Sequence, residues 1–127
     1  MRLLIDTQIF IWTVIGSGFL CDQARRTMLE AERVCVSAAS IWEIAIKTKI
    51  GKLEGNPHDF CKAIRQSGFQ ELFVTARHAA TVHDLPLYHR DPFDRILVAQ
   101  AICEELWLLT ADKLLKQYST RIITVPG

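Results

Sequence analysis

The chain has 127 residues, half of them apolar and 23% charged, and carries a net charge of +1. That length suits a single domain over residues 1–127, and the near-neutral balance excludes a global basic field that would draw the protein onto a polyanion. The composition is that of a globular protein, without a low-complexity tract or repeat, and no window approaches the ~18 apolar residues of a membrane span.

Leu3-Leu4-Ile5 reads as a buried strand, and Thr7 to Ile15 as a helix that Gly16 and Gly18 end. Arg2 and the apolar stretch behind it imitate a secretory leader. Asp6 and Gln8 interrupt that stretch, however, where a leader runs unbroken for about 7–15 residues. A cytoplasmic protein is expected. Asp22 to Glu32 is a surface helix with a narrow stripe of Ala24, Met28, Leu29 and Ala31. Val34-Cys35-Val36 is the second strand. Ser37 is placed to cap the next helix, since its hydroxyl can accept from an orphan N–H, and that helix runs through Ile41, Ile44, Ala45 and Ile46 to Gly51.

A further helix spans Pro57 to Gln66, with proline at the position where its missing N–H is harmless. Phe69 to Val74 is the third strand, and Ala76 to Asp84 a short helix broken at Leu85-Pro86. Asp91-Pro92 opens the clearest helix, where Phe93, Ile96, Leu97 and Ala101 form one apolar stripe. Leu106 to Leu109 is the fourth strand, Asp112 to Gln117 a short helix, and Ile122 to Val125 the last strand. Short apolar strands without alternation, each followed by a helix, require a parallel sheet covered on both faces. The fold class is therefore α/β: a three-layer α/β/α sandwich around a parallel sheet of about five strands. The cysteines (21, 35, 61 and 103) lack zinc or redox spacing, and Cys35 and Cys103 read as small core residues in a reducing compartment.

In an open parallel sheet, ligands bind beyond the carboxyl ends of the strands. Asp6 follows the first strand, Glu43 lies within two turns of the helix leaving the second, and Asp112 follows the fourth, preceded by Thr110. Asp91 and Asp94 open the long helix at the same edge if that helix runs antiparallel to the strands. Each has a structural reading too. Asp6 and Asp112 can cap the helices they precede, Glu43 meets the capping-box spacing with Ser40, and Asp91 is the natural cap before Pro92, which leaves Asp94 free for the cleft. Gathered without cations, such carboxylates repel one another and take up protons, and a divalent metal removes that conflict. An all-oxygen set with no Cys or His at coordinating spacing favours Mg²⁺ or Mn²⁺ over zinc. Magnesium so held can bind phosphate and activate water for phosphodiester cleavage.

Four blocks in series carry a resemblance. They are Leu3-Leu4-Ile5-Asp6-Thr7 with Phe10 and Trp12; Ser37 to Lys47; Asp91-Pro92-Phe93-Asp94-Arg95 leading to Ala99-Gln100-Ala101; and Leu108-Leu109-Thr110-Ala111-Asp112. In order and spacing this resembles the PIN-domain family, and within it the VapC-type toxins of toxin–antitoxin pairs. The resemblance implies a Mg²⁺-dependent endoribonuclease whose acidic site falls on Asp6, Glu43, Asp94 and Asp112. Asp6 and Asp94 would be direct metal ligands, Glu43 would bind the metal directly or through water and help orient the attacking water, Asp112 would complete the cluster and Thr110 would assist. Lys47, one turn beyond Glu43, would meet substrate phosphate or pair with Glu43, and Arg95 would contact substrate. The partners implied are RNA, an antitoxin segment over the active-site groove, and a second copy of the chain. The surplus of apolar residues on the first helix (Ile9, Phe10, Ile11, Trp12 and Ile15) offers a surface for such contacts. Gln8 stands where this branch often has His, which removes any part a histidine there would play.

Two other readings compete. A phosphoacceptor receiver domain requires a Lys after the last strand, where this sequence has Pro126-Gly127. A catalytically silent PIN-fold module that only binds RNA or serves as a scaffold would not need all four acids.

Overall fold

The computed structural model describes residues 1–127. Five strands, β1 (Arg2–Ile5), β2 (Arg33–Ser37), β3 (Gln70–Leu72), β4 (Trp107–Thr110) and β5 (Ile122–Thr124), form one sheet in the order β3-β2-β1-β4-β5. Every pairing is parallel. The helices are α1 (Thr7–Ile15), α2 (Asp22–Glu30), α3 (Ala38–Lys49), α4 (Pro57–Gln66), α5 (Ala76–Thr81) and α6 (Pro92–Glu104), with 3₁₀ turns over Val82–Asp84 and Lys113–Tyr118.

Side-chain alternation along each strand divides the core in two. Leu3, Ile5, Val34, Val36 and Leu109 meet Ile9, Phe10, Ala24, Ile44, Phe60 and Ile64 of α1 to α4 on one face. Leu4, Cys35 and Leu108 meet Leu97, Val98 and Ala101 of α6, with Leu85 and Leu115, on the other. Both faces are covered, so the strands lack polar positions in their centres. This is the three-layer α/β/α arrangement the sequence calls for.

Three local expectations change. The apolar surplus of α1 is mostly consumed inside the fold. Ile9, Phe10 and Ile11 are buried, leaving only the C-terminal Ile15 exposed, because α1 packs on the sheet and against α3 and α4. A helix that is apolar on all sides is buried on all sides. Leu29 is 85% exposed and does not belong to the buried stripe of α2, which rests on Ala24 with partial cover from Met28 and Ala31. Strand β3 is shorter than its apolar run. It is an edge strand that pairs with Cys35–Ser37 of β2 alone, and β2 ends where α3 begins, so Phe73 and Val74 leave the sheet exposed.

Candidate active site

Helix starts place the acids. β1 ends at Ile5, and Asp6 both continues the ladder, its N–H donating to the Leu109 carbonyl at 3.0 Å, and caps α1, its Oδ1 accepting from the Ile9 N–H at 2.8 Å. The second oxygen, Oδ2, accepts from the Thr110 hydroxyl at 2.6 Å. Thr110 Oγ1 in turn accepts from the Asp112 N–H at 3.0 Å, so one threonine ties the ends of β1 and β4 together. Asp112 caps its 3₁₀ turn through Oδ1 and the Leu114 N–H at 3.0 Å. The capping readings of Asp6 and Asp112 are thus correct, and each still has an oxygen directed elsewhere.

Ser37 caps α3 by accepting from the Ala39 N–H, which puts Glu43 in the second turn, beyond the reach of a capping box. Asp91 caps α6, accepting from the N–H groups of Phe93 and Asp94 at 2.8 and 3.3 Å. The Asp94 carboxylate makes no cap and faces the cleft. Asp6, Glu43, Asp91, Asp94 and Asp112 line one depression of about 420 Å³ with Thr7, Gln8, Lys47, Ala111 and Lys113. Four segments distant in sequence therefore meet at the carboxyl edge of the sheet, where parallel sheets place their ligands.

The electrostatics are strained. Burial pushes the Asp6 carboxyl up to about 6, against the pull of its Thr110 and Ile9 hydrogen bonds, and the Glu43 and Asp112 charges add to the rise. Burial likewise raises Asp94 to about 7, with the charges of Asp91, Asp6 and Glu43 adding to the rise and His89 opposing it. Glu43 receives one cation, since Lys47 Nζ lies 2.9 Å from its Oε2, the ion-pair reading of that lysine. Its other oxygen, Oε1, is buried without a hydrogen-bond partner. A buried, unpartnered carboxylate oxygen facing other carboxylates is unfavourable until a cation arrives. Oxygen donors in excess and cations in deficit fit a hard divalent ion.

Arg95 does not point into this cleft. It is buried, and its guanidinium donates to the carbonyls of Pro86, His89, Val82 and Leu85 and to the Tyr118 hydroxyl, at 2.9–3.3 Å. Successive residues on a helix are turned by about 100°, so a cleft-facing Asp94 turns its neighbour away. Arg95 instead clamps the Val82–His89 segment onto α6.

The sequence marks His89 as the only histidine near the acidic cluster without giving it a role, and the fold sets it on that clamped segment against two of the acids. Its Nε2 lies 2.7 Å from Asp112 Oδ2 and 3.5 Å from Asp94 Oδ2. One ligand atom from each of the three residues falls within 4.8 Å of the others. The only signal was its position two residues before the α6 cap. Lys113, exposed on the cleft lip, is a second basic residue that joins the site unforeseen. An apolar groove of about 510 Å³, lined by Trp12, Leu20, Met28 and Phe69 together with Arg25 and Arg33, opens at the opposite edge of the sheet.

Fold and cleft together define an α/β/α domain with an acidic site at the strand ends. The chain belongs to the PIN-domain family, whose profile matches residues 3–120. Among solved structures, a chain of VapBC2 from Rickettsia felis, bound to a DNA fragment from its promoter, superposes with a TM-score of 0.71 at 14% identity, covering 99% of this chain and 98% of that one. A chain of DNA-bound VapBC from Salmonella typhimurium gives 0.71 at 16% identity, with 98% of both chains covered. FitAcB from Neisseria gonorrhoeae gives 0.66 at 17%, covering 98% and 96%. At such identities the likeness is one of fold. No curated protein sequence matches the chain.

Proposed function

We propose that the chain is a single-domain, divalent-cation-dependent endoribonuclease and the toxin of a cytoplasmic toxin–antitoxin pair. The observation that carries the reading is the convergence of Asp6, Glu43, Asp94 and Asp112 on one cleft in which Glu43 Oε1 lacks a partner. Asp6 and Asp94 would hold Mg²⁺ (or Mn²⁺ in its place), with Glu43 and Asp112 ligating directly or through water. A cation so bound supplies Lewis acidity, which neutralises the carboxylates, polarises a phosphate oxygen and acidifies water.

The chain's own residues do the rest. Thr110 fixes Asp6 Oδ2, so the two oxygens of that carboxylate stay distinguishable. Glu43, once its share of charge is neutralised, accepts a hydrogen bond from the attacking water and orients it. Lys47, half-exposed on the lip, is free to turn from Glu43 to a substrate phosphate, and Lys113 offers a second cation there. Arg95 acts only at a distance, by holding the segment that carries His89. RNA is the substrate on this reading because the four acidic blocks resemble those of PIN-domain ribonucleases, and Lys47 and Lys113 on the cleft could meet its phosphates.

The partner reading rests on two features. A solved structure of this fold is a toxin–antitoxin complex from Klebsiella pneumoniae, and the antitoxin segment would cover the active-site groove, with the groove beside α1 and α2 offering a further apolar seat edged by arginines. A second copy is better accommodated on α3 than on α1. Trp42, Ile46 and Ile50, at i, i+4 and i+8, are 66, 40 and 59% exposed on one stripe, and the Trp42 ring packs edge-on against Phe93 at 5.1 Å. Asp6→Asn tests the nuclease assignment. The variant should fold and leave single-stranded RNA uncut in Mg²⁺, and cutting at the wild-type rate would overturn the assignment.

A further inference from the structure

We infer that His89 is not a ligand of the cleft's cation but a fixed hydrogen-bond donor that sets the spacing of Asp94 and Asp112. The inference rests on the metal site proposed above and assigns a residue to it.

The protonation pattern of the ring follows from its neighbours. The backbone N–H of Asp91 donates to His89 Nδ1 at 3.0 Å. Nδ1 accepts that bond and so presents its lone pair to the Asp91 N–H. The one remaining proton of a neutral imidazole is on Nε2. That nitrogen has no lone pair to give a metal, and instead donates to Asp112 Oδ2 at 2.7 Å, with Asp94 Oδ2 at 3.5 Å on the same side. To ligate through Nε2 the ring would have to become an imidazolate or abandon the Asp91 N–H.

The ring's setting resists such a change. The His89 N–H donates to the Tyr118 hydroxyl at 2.9 Å, and its carbonyl accepts from Arg95. Tyr118 donates onward to the Pro86 carbonyl at 2.8 Å, so the loop is held at both ends by one phenol and one guanidinium. Donor and ring orientation are both fixed before any cation binds. The function follows from chemistry: the Nε2 N–H fixes Asp112 Oδ2, and the same ring edge lies 3.5 Å from Asp94 Oδ2, so the ring sets how far apart the two carboxylates stand. The ligand set stays all oxygen, which suits Mg²⁺ and Mn²⁺ rather than zinc. Groups that orient metal ligands typically account for about 10–100-fold in metal affinity.

Three substitutions separate donor from ligand. His89→Gln keeps an N–H near the Nε2 position but offers no ring nitrogen. His89→Asn keeps only an acceptor for the Asp91 N–H. His89→Ala keeps neither. Binding of Mn²⁺ to each full-length protein is measured directly by titration calorimetry and by the loss of free-ion EPR signal, with thermal melts to confirm folding. The expected order is wild type and Gln together, within about threefold, and Asn and Ala weaker by about 10–100-fold. Nitrogen-15 shifts of the His89 ring should report a proton on Nε2 both before and after Mg²⁺ is added. Equal losses in all three variants, a proton on Nδ1, or loss of the Nε2 proton on metal addition would overturn the inference while leaving the nuclease reading intact. A wild-type protein that binds no Mn²⁺ would overturn both.

Discussion

Replacing Asp94 by asparagine should raise the stability of the metal-free protein at alkaline pH while abolishing its activity. In the unfolded chain this carboxyl ionises near 3.8, and in the fold near 7. Between those values the folded protein keeps a proton that the unfolded chain has released, so the contribution is stabilising at low pH and is lost as pH rises through 7. At about 1.4 kcal/mol per pH unit, the fully ionised group costs the fold roughly 4 kcal/mol. Asp6, raised to about 6 from the same cleft, adds in the same direction. The groups share one field, so relief at Asp94 is partly redistributed among the others, and at roughly 4 °C per kcal/mol we expect a gain of about 5–10 °C in Tm. The assay is thermal unfolding of wild type and Asp94→Asn in EDTA at pH 5 and pH 8. Wild type should fall between the two pH values by more than the variant does, and Mg²⁺ at pH 8 should raise wild type but not Asp94→Asn. Parallel pH slopes, or a variant that melts lower at pH 8, would refute the account of cleft strain.

Other substitutions test the remaining assignments. Arg95→Ala should lower unfolding free energy by about 2–4 kcal/mol in urea, because four carbonyls and the Tyr118 hydroxyl each lose a guanidinium hydrogen bond, and those of Val82 and Leu85 lose the only side-chain donor they have. A stable variant with weakened RNA binding would restore the substrate role. Lys47→Met leaves Glu43 without its cation, so Mg²⁺ should raise the Tm of this variant more than that of wild type. An equal rise in both would argue against the pairing. Trp42→Glu should convert a dimer of wild type to monomer by light scattering at micromolar concentration; identical masses would move the subunit contact off α3.

Much of this was legible in the chain because the deciding forces are local. The caps at Ser37 and Asp91 and the prolines at 57 and 92 define helix starts where the sequence puts them. Asp6, Glu43, Asp94 and Asp112 were found by a topological rule, since a parallel sheet brings its strand ends to one edge whatever lies between. What stayed hidden depends on contacts between distant segments. His89 lies in a stretch without period, and its partner Asp112 is 23 residues on. Arg95 looked like a substrate contact because it adjoins Asp94, although adjacency on a helix turns side chains apart. The apolar excess of α1 was read as a surface because sequence does not count layers. Here α1 packs between sheet and helices, and the exposed apolar stripe belongs to α3.

The central claim is that the acidic cleft hydrolyses RNA with water made reactive by a divalent cation. The most direct test incubates wild-type protein with end-labelled single-stranded RNA in EDTA, in Mg²⁺ and in Zn²⁺, and maps the chemistry of the new ends. The account predicts intact RNA in EDTA, poor cutting in Zn²⁺, and cutting in Mg²⁺ that leaves 5′-phosphate and 3′-hydroxyl termini, because in-line attack by water does not use the 2′-hydroxyl. Termini bearing a 2′,3′-cyclic phosphate, or cutting undiminished by EDTA, would contradict it.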